Sequence, residues 1–203
     1  MNAKPLIGNL LLIEALKAVQ TPEKTIAAAQ YFNRAYRASR LGRSEVTEQI
    51  VANSVAILSS DTSIEERNTF FAFAKDVVVR QNQVLKSDAR FELLTGSFLS
   101  TTGQLDEALV HLERAKELMP GKQQIYFEIG AVYINQNKPF EALKSFKEAY
   151  ELAPEYDEAK IIYLIGAIYA GDRTLEARLI AELPKVIVAR DGRISSAYRA
   201  VGR

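Results

Sequence analysis

Hydrophobic residues recur every three or four positions along most of the chain, which is the spacing of one buried face of an α-helix. Between residues 89 and 154 one such pattern occurs twice, and the second copy follows the first by 34 residues. The first copy consists of Glu92, Thr95, Gly96, Leu99, Ala108, Leu112, Ala115 and Pro120, and the second of Tyr126, Ile129, Gly130, Tyr133, Ala142, Phe146, Ala149 and Pro154. Matched positions in a single register predict a repeated unit rather than two unrelated helix pairs.

Each copy predicts two helices joined by a tight turn. Gly130 and Ala142 are small and let the two helices of the second copy approach closely, while Phe146 fills the wider space beside them. Gly103 and Asn137 occupy the same place in the two copies, where the first helix ends. Both residue types tolerate the positive φ that such an ending requires.

A helix–turn–helix unit of 34 residues with this spacing resembles the tetratricopeptide repeat. The resemblance implies an all-α fold, in which antiparallel helix pairs stack into a solenoid that winds as a right-handed superhelix. About nine to eleven helices are expected for a chain of this length.

The rest of the chain predicts less regular helix pairs that continue the same solenoid. Two degenerate hairpins are expected over residues 1–87, since Ala28, Phe32 and Ala35 have the mutual spacing of Ala142, Phe146 and Ala149. The predicted tetratricopeptide array over residues 88–203 has two clear repeats at 89–155, a degenerate repeat at 156–190 and a half repeat at 191–203. This half repeat is either a polar helix that caps the end of the array or a sign that the sequence is a fragment of a longer protein, and we favour the second interpretation.

Several helix boundaries follow from local signals. Thr21 with Pro22 predicts the start of a second helix, and Ser44 the start of a third. Ser63 followed by Glu66 is a capping box that opens a fourth helix, expected to end at Lys86. That helix is expected to bury Phe70, Phe71, Phe73, Val77, Val78, Val79 and Val84. Pro184 should break or kink the second helix of the degenerate repeat at 156–190.

Composition and candidate chemistry argue against an enzyme. The chain has no cysteine and a single histidine, His111, so neither a disulfide nor a zinc site is expected. Its glycines are scattered at hairpin positions and form no phosphate loop, and its serines have no neighbouring base. We therefore predict no catalysis, no metal and no cofactor. The net charge of +1 gives no general reason to expect nucleic-acid binding.

Residues 5–19 are apolar but too short to span a bilayer, and Glu14 and Lys17 interrupt them. An amphipathic first helix is expected rather than a membrane-inserted segment. Apolar surface at the first and last helices leaves weak end-to-end self-association open.

The repeat resemblance implies that first helices line a concave groove. The predicted groove consists of Leu93, Ser97, Phe127, Ala131, Ile134, Asn135, Tyr163 and Ala167. This composition suits a peptide or protein partner, with Phe127 and Tyr163 as aromatic anchors. The alternative is that these two aromatic side chains pack between neighbouring repeats. Glu128 in the same stretch would repel a terminal carboxylate. The predicted function is accordingly a protein-interaction scaffold.

A second resemblance covers most of the chain. The segments Asn9–Leu16, Tyr31–Ala35 and Asp191–Arg203 are similar to the helical repeat tails of bacterial O-antigen-ligase-type membrane proteins. This resemblance implies an extracytoplasmic accessory tail of an enzyme that handles envelope glycans, whose catalytic residues lie elsewhere. Without it, a cytoplasmic scaffold is expected, so the compartment stays open. The absence of tryptophan argues against glycan binding.

Overall fold

The structure, a computed structural model, describes residues 4–38, 40–85 and 87–203. These ranges contain twelve α-helices and no β-strand. The helices are α1 (Lys4–Val19), α2 (Thr25–Ala38), α3 (Arg43–Ser59), α4 (Ile64–Val84), α5 (Ala89–Thr101), α6 (Leu105–Leu118), α7 (Gln123–Asn135), α8 (Pro139–Leu152), α9 (Asp157–Ala170), α10 (Arg173–Glu182), α11 (Lys185–Arg190) and α12 (Gly192–Ala200), with a 3-10 helix at Pro22–Lys24.

The all-α prediction is confirmed, although the helices in the described part of the chain exceed the expected nine to eleven by one. Pro184 accounts for the difference. It lies between α10 and α11, and as expected it interrupts the helix because proline has no N–H to donate and its ring clashes with the preceding turn.

The chain divides into two compact units, residues 1–104 and 105–203. The division falls within the first clear repeat of the sequence, since α5 belongs to the first unit and α6 to the second. The repeat boundaries inferred from the sequence, and their assembly into one continuous solenoid, remain predictions.

The first unit pairs α1 with α2 and α3 with α4. Its core contains the fully buried side chains of Phe32, Ile50 and Phe70. The rings of Phe32 and Phe70 meet edge to face, with centroids 6.5 Å apart, an arrangement that aromatic quadrupoles favour. Val77, Val78 and Val79 lie within α4, as the predicted fourth helix required.

Two of the predicted helix starts in this unit differ from the structure. Thr21 and Pro22 do begin a helix, but it is a short 3-10 helix that precedes α2, and the Thr21 side chain forms no cap. The third helix begins at Arg43, so its N-cap residue is Gly42 rather than Ser44. The capping box is confirmed: the Ser63 hydroxyl accepts a hydrogen bond from the Glu66 backbone N–H at 3.3 Å.

The predicted burial along α4 is correct only in part. Phe70, Val77 and Val78 are buried, but Val84 is 66% exposed. The buried face continues through Gln81 and Asn82, which places Val84 on the solvent side of the last turn. Phe71, Phe73 and Val79 are half-buried. The predicted end of the helix at Lys86 lies outside the described residues.

In the second unit, α7 packs on α8, α8 on α9, and α9 also contacts α10 and α12. Asn137 ends the first helix of its hairpin with φ = +58°, and Gly171 does the same with φ = +73°. In the first unit, Gly103 has φ = +80°. The predicted left-handed turn positions Gly103 and Asn137 are therefore confirmed.

Candidate functional site

The second unit contains a cavity of about 400 Å³ between α7, α9 and α12. Ligand pockets of proteins have volumes from about 300 Å³ upward. The lining residues are Phe127, Ala131, Ile134 and Asn135 of α7, Phe146 of α8, Ile162, Ile165 and Tyr169 of α9, and Gly192, Arg193, Ser196 and Ala197 of α12.

The floor of the cavity is apolar. Phe146, which is 4% exposed, reaches it from α8 because neither Gly130 nor Gly166 has a side chain to block its ring. Ile162 and Ile165 are half-buried beside it, and Ala197 closes the side formed by α12. An apolar ligand group would therefore be removed from water on several sides.

The rim of the cavity carries polar groups that the protein leaves available. Asn135 is exposed on α7 and Tyr169 is half-buried on α9. Within the described residues, neither the Asn135 amide nor the Tyr169 hydroxyl takes part in a hydrogen bond. Ser196 is already engaged, since its hydroxyl donates to the Gly192 carbonyl at 2.7 Å. Asn135 and Tyr169 are therefore the rim groups suited to a ligand.

Arg193 stands at the end of the cavity where α9 and α12 begin. Its guanidinium forms a bidentate pair with Glu158 and a second pair with Asp191. The hydrogen bonds to Glu158, followed by those to Asp191, raise the pKa of Arg193. Hydrogen bonding to Arg193 in turn lowers the pKa of Asp191. These shifts keep Asp191 and Arg193 charged at neutral pH, and the hydrogen bonds hold the guanidinium in one orientation.

A second set of contacts holds α12 against α10. Glu176, only 7% exposed, accepts a hydrogen bond from the Tyr198 hydroxyl at 2.8 Å and two from the Arg203 guanidinium at 2.8 and 2.9 Å. The Arg203 guanidinium also lies 4.9 Å from the centroid of the Tyr198 ring. Burial, followed by the hydrogen bond to Glu176, raises the pKa of Tyr198 to about 12. One wall of the cavity is thus anchored by a buried carboxylate.

The structure brings four of the predicted groove residues together in this cavity: Phe127, Ala131, Ile134 and Asn135. Leu93 and Ser97 lie on α5 in the first unit, where both are half-buried.

The predicted groove residues of α9 lie elsewhere. Tyr163 is 6% exposed and stacks on Tyr150 with ring centroids 5.3 Å apart, and Ala167 is fully buried. Tyr163 belongs to a buried cluster with Leu179 of α10 and Ile194 of α12. Burial raises its pKa. Tyr150 lies on α8, so the Tyr163 ring packs between neighbouring helix pairs, as in the alternative considered from the sequence.

The α9 residues that do line the cavity were recognisable in the sequence as repeat positions, but the sequence did not indicate which surface they form. Ile162, Ile165 and Tyr169 continue the apolar spacing of the repeat, which does not by itself distinguish a buried face from an open one. Arg193 and Ser196 had no signal at all, because their place on the cavity depends on how α12 folds back onto α9.

A metal site needs several ligating side chains close together, and a membrane span needs a long apolar helix; the described residues provide neither. None of these residues form a group of three or more histidine, cysteine, aspartate or glutamate side chains that could hold a metal ion. Among the helices of the described ranges, none combines the length and apolar character needed to cross a membrane.

Comparison with protein families identifies one of the repeats directly. Residues 123–156 match the tetratricopeptide repeat model, and they span α7, α8 and the turn that follows. A comparison with curated proteins found no match.

Solved structures share the fold at low sequence identity. MamA from Desulfovibrio magneticus RS-1 (residues 41 to the end) has a TM-score of 0.61 at 14% identity, over 92% of this chain and 98% of that one. A tetratricopeptide repeat protein from Parabacteroides merdae ATCC 43184 has a TM-score of 0.62 at 15% identity, over 97% and 74%. YrrB, described as a TPR protein with an unusual peptide-binding site, has a TM-score of 0.55 at 18% identity, over 97% and 89%.

The chain therefore carries a tetratricopeptide repeat and has the fold of tetratricopeptide repeat proteins. Its similarity to the tails of O-antigen-ligase-type proteins remains a prediction, because these comparisons concern the repeat and the fold.

Proposed function

We propose that this protein is a non-catalytic interaction scaffold that binds a segment of a partner protein in the cavity between α7, α9 and α12. The observation that carries the proposal is the combination of an apolar floor with two rim groups, the Asn135 amide and the Tyr169 hydroxyl, that lack partners in the described part of the chain. Sites that recognise peptides commonly bury an apolar side chain and bond the peptide backbone around it.

The two parts of the cavity have separate tasks in this proposal. Phe146, Ile162 and Ile165 take an apolar side chain of the partner out of water. The Asn135 amide both donates and accepts hydrogen bonds, so it can bond a backbone carbonyl or N–H of the same segment. Tyr169 does the same from the opposite wall. Scaffolding by this fold also has support from YrrB, whose description includes a peptide-binding site.

The rim groups do not form a catalytic set. Ser196 donates to a backbone carbonyl and accepts from Arg199, and Arg193 is committed to two carboxylates. A nucleophile requires an adjacent base, which this arrangement does not supply.

A photo-crosslinking experiment tests the proposal in the source cells. A photoreactive amino acid is placed at Ala131, which is exposed on the cavity, and in a matched variant at Ala177, which is exposed on α10 and does not line the cavity. We expect a crosslinked partner from position 131 that is absent from position 177.

A cavity-filling substitution then tests whether the identified partner uses the cavity. Ala131→Trp should abolish its binding to the purified protein, and Ala177→Trp should leave the binding unchanged. Equal crosslinking at both positions, or full binding by Ala131→Trp, would contradict the proposal.

A further inference from the structure

Most of the N–H donors on the edge of the Arg193 guanidinium are already bonded to carboxylates of the protein. An arginine guanidinium has five N–H donors, and four hydrogen bonds use this edge: Nε to Asp191, Nη1 to Glu158, and Nη2 to both carboxylates. A bidentate pair with a ligand carboxylate needs two free N–H groups on one side, which Arg193 does not have. Arg193 is therefore not a receptor for an acidic group, although it lines the cavity and carries a positive charge.

The two faces of the guanidinium plane remain available. Because Glu158 and Asp191 hold that plane in place, and neither of them lines the cavity, the orientation of the Arg193 guanidinium is fixed without using the groups that face a ligand. The side chain is 47% exposed, so a ligand can reach it. The face of a guanidinium is the part of arginine that stacks on aromatic rings, and it can do so while the edge donors are bonded to carboxylates.

From this geometry we infer that the cavity selects an aromatic side chain of the partner, which stacks on the face of Arg193. The inference rests on the proposed function, since it names the side chain that the cavity receives. Phe127 and Tyr169 line the same cavity and can add edge-to-face contacts to the incoming ring. An aliphatic side chain of equal size would fill the floor equally well but would gain nothing from Arg193.

Two small probes separate aromatic recognition from simple burial. They are the pentapeptides acetyl-Ser-Gly-Phe-Gly-Ser-amide and the same peptide with cyclohexylalanine in place of phenylalanine. The two central side chains are similar in size and apolar, but only phenylalanine has a π-system. Each probe is titrated into the full 203-residue chain, and the amide signals of Ala131, Tyr169 and Ser196 are followed by two-dimensional NMR.

We expect both peptides to shift these signals and the phenylalanine peptide to bind about threefold more tightly or better, the size of a partly exposed cation–π contact. In Arg193→Met, which keeps an unbranched side chain but loses both the positive charge and the guanidinium plane, the two peptides should bind equally. The amide spectrum of this variant also reports whether α12 has kept its place. The comparison of the two peptides on the unmodified protein does not depend on it.

The outcomes distinguish the inference from the function on which it rests. Equal binding of the two peptides to the unmodified protein would overturn the aromatic preference and leave the apolar cavity standing. A preference that persists in Arg193→Met with α12 in place would overturn the role of Arg193. If neither peptide shifts signals around the cavity at millimolar concentration, the proposed function itself fails.

Discussion

The ring of Phe146 lies directly against the backbone of Gly130, where any side chain would collide with it. A carbon added to Gly130 as Cβ would lie 2.6 Å from Cζ of Phe146, and one added to Gly166 would lie 2.7 Å from Cδ2 on the other side of the ring. Phe146 therefore packs between two helices at positions where both have glycine. The same ring forms part of the cavity floor, so the packing of the repeat and the shape of the candidate site depend on one side chain.

Gly130→Ala should lower the free energy of unfolding by about 1–3 kcal/mol, the usual cost of overpacking a core. Alanine would otherwise stabilise a helix interior relative to glycine, so a loss must come from the collision with Phe146. Gly130→Leu, with its larger side chain, should cost more. Denaturant unfolding followed by circular dichroism measures the difference.

Gly121→Ala is the matched control, because nothing lies within 4 Å of a Cβ at this position. Adding Phe146→Leu to Gly130→Ala should recover part of the lost stability, since it removes the atoms that collide. If Gly130→Ala is as stable as the unmodified protein, the close approach of Gly130 and Phe146 is wrong.

Arg203→Ala should destabilise the second unit through Glu176. Removing this arginine leaves a carboxylate that is only 7% exposed without its bidentate partner. Breaking a buried pair in this way costs about 3–5 kcal/mol, and a partly exposed partner such as Arg203 should give a smaller loss. Arg178→Ala breaks a surface pair with Glu182 and should change the unfolding free energy by less than about 1 kcal/mol.

The double variant Arg203→Ala with Glu176→Gln tests the cause. A neutral amide is easier to bury than an unpaired carboxylate, so the second substitution should restore part of the stability. Equal losses in Arg203→Ala and Arg178→Ala would mean that Glu176 does not depend on Arg203.

Tyr198 should make the protein less stable at alkaline pH. Its pKa is raised to about 12 in the folded protein, above the value of about 10 for an unperturbed tyrosine. Below pH 10 the phenol is protonated in both states, and its contribution to stability is fully present. As the pH rises from 10 to 12, the unfolded state loses the proton first, so the unfolding free energy falls.

The comparison of Tyr198→Phe with the unmodified protein isolates this effect from other titrating groups. The variant should lose less stability between pH 10 and 12 than the unmodified protein does. Tyr156→Phe serves as control, because Tyr156 is 54% exposed and has no part in the Glu176 contacts. Parallel pH profiles for Tyr198→Phe and the unmodified protein would contradict the prediction.

The sequence alone was sufficient to predict an all-helical fold and to recognise the repeat. The spacing of Gly130, Ala142 and Phe146 identified a close helix crossing, and Asn137 identified a left-handed turn, because each of these features depends on residues near one another in the chain. The errors in helix starts came from signals that compete locally, such as Ser44, since the helix begins at Arg43 with Gly42 as its N-cap.

The candidate site could be predicted only on the side that lies within a recognised repeat. Phe127, Ala131, Ile134 and Asn135 follow from the register of α7. Tyr163 occupies the corresponding place on α9, yet it is buried against Tyr150 of α8, since a helix face becomes a groove only if no neighbouring helix covers it.

What the sequence by itself determined is the set of helices and their local crossings, because these follow from periodicity and short-range sterics. Only the tertiary structure decided which faces stay open. Pro184 interrupts the helix between α10 and α11, and α12 then packs against α9, where the Glu176 contacts hold it. This arrangement brings Arg193 to a cavity whose other residues lie up to 66 positions earlier in the chain (193 − 127). Contacts over that separation depend on the path of the whole unit, which no local spacing encodes.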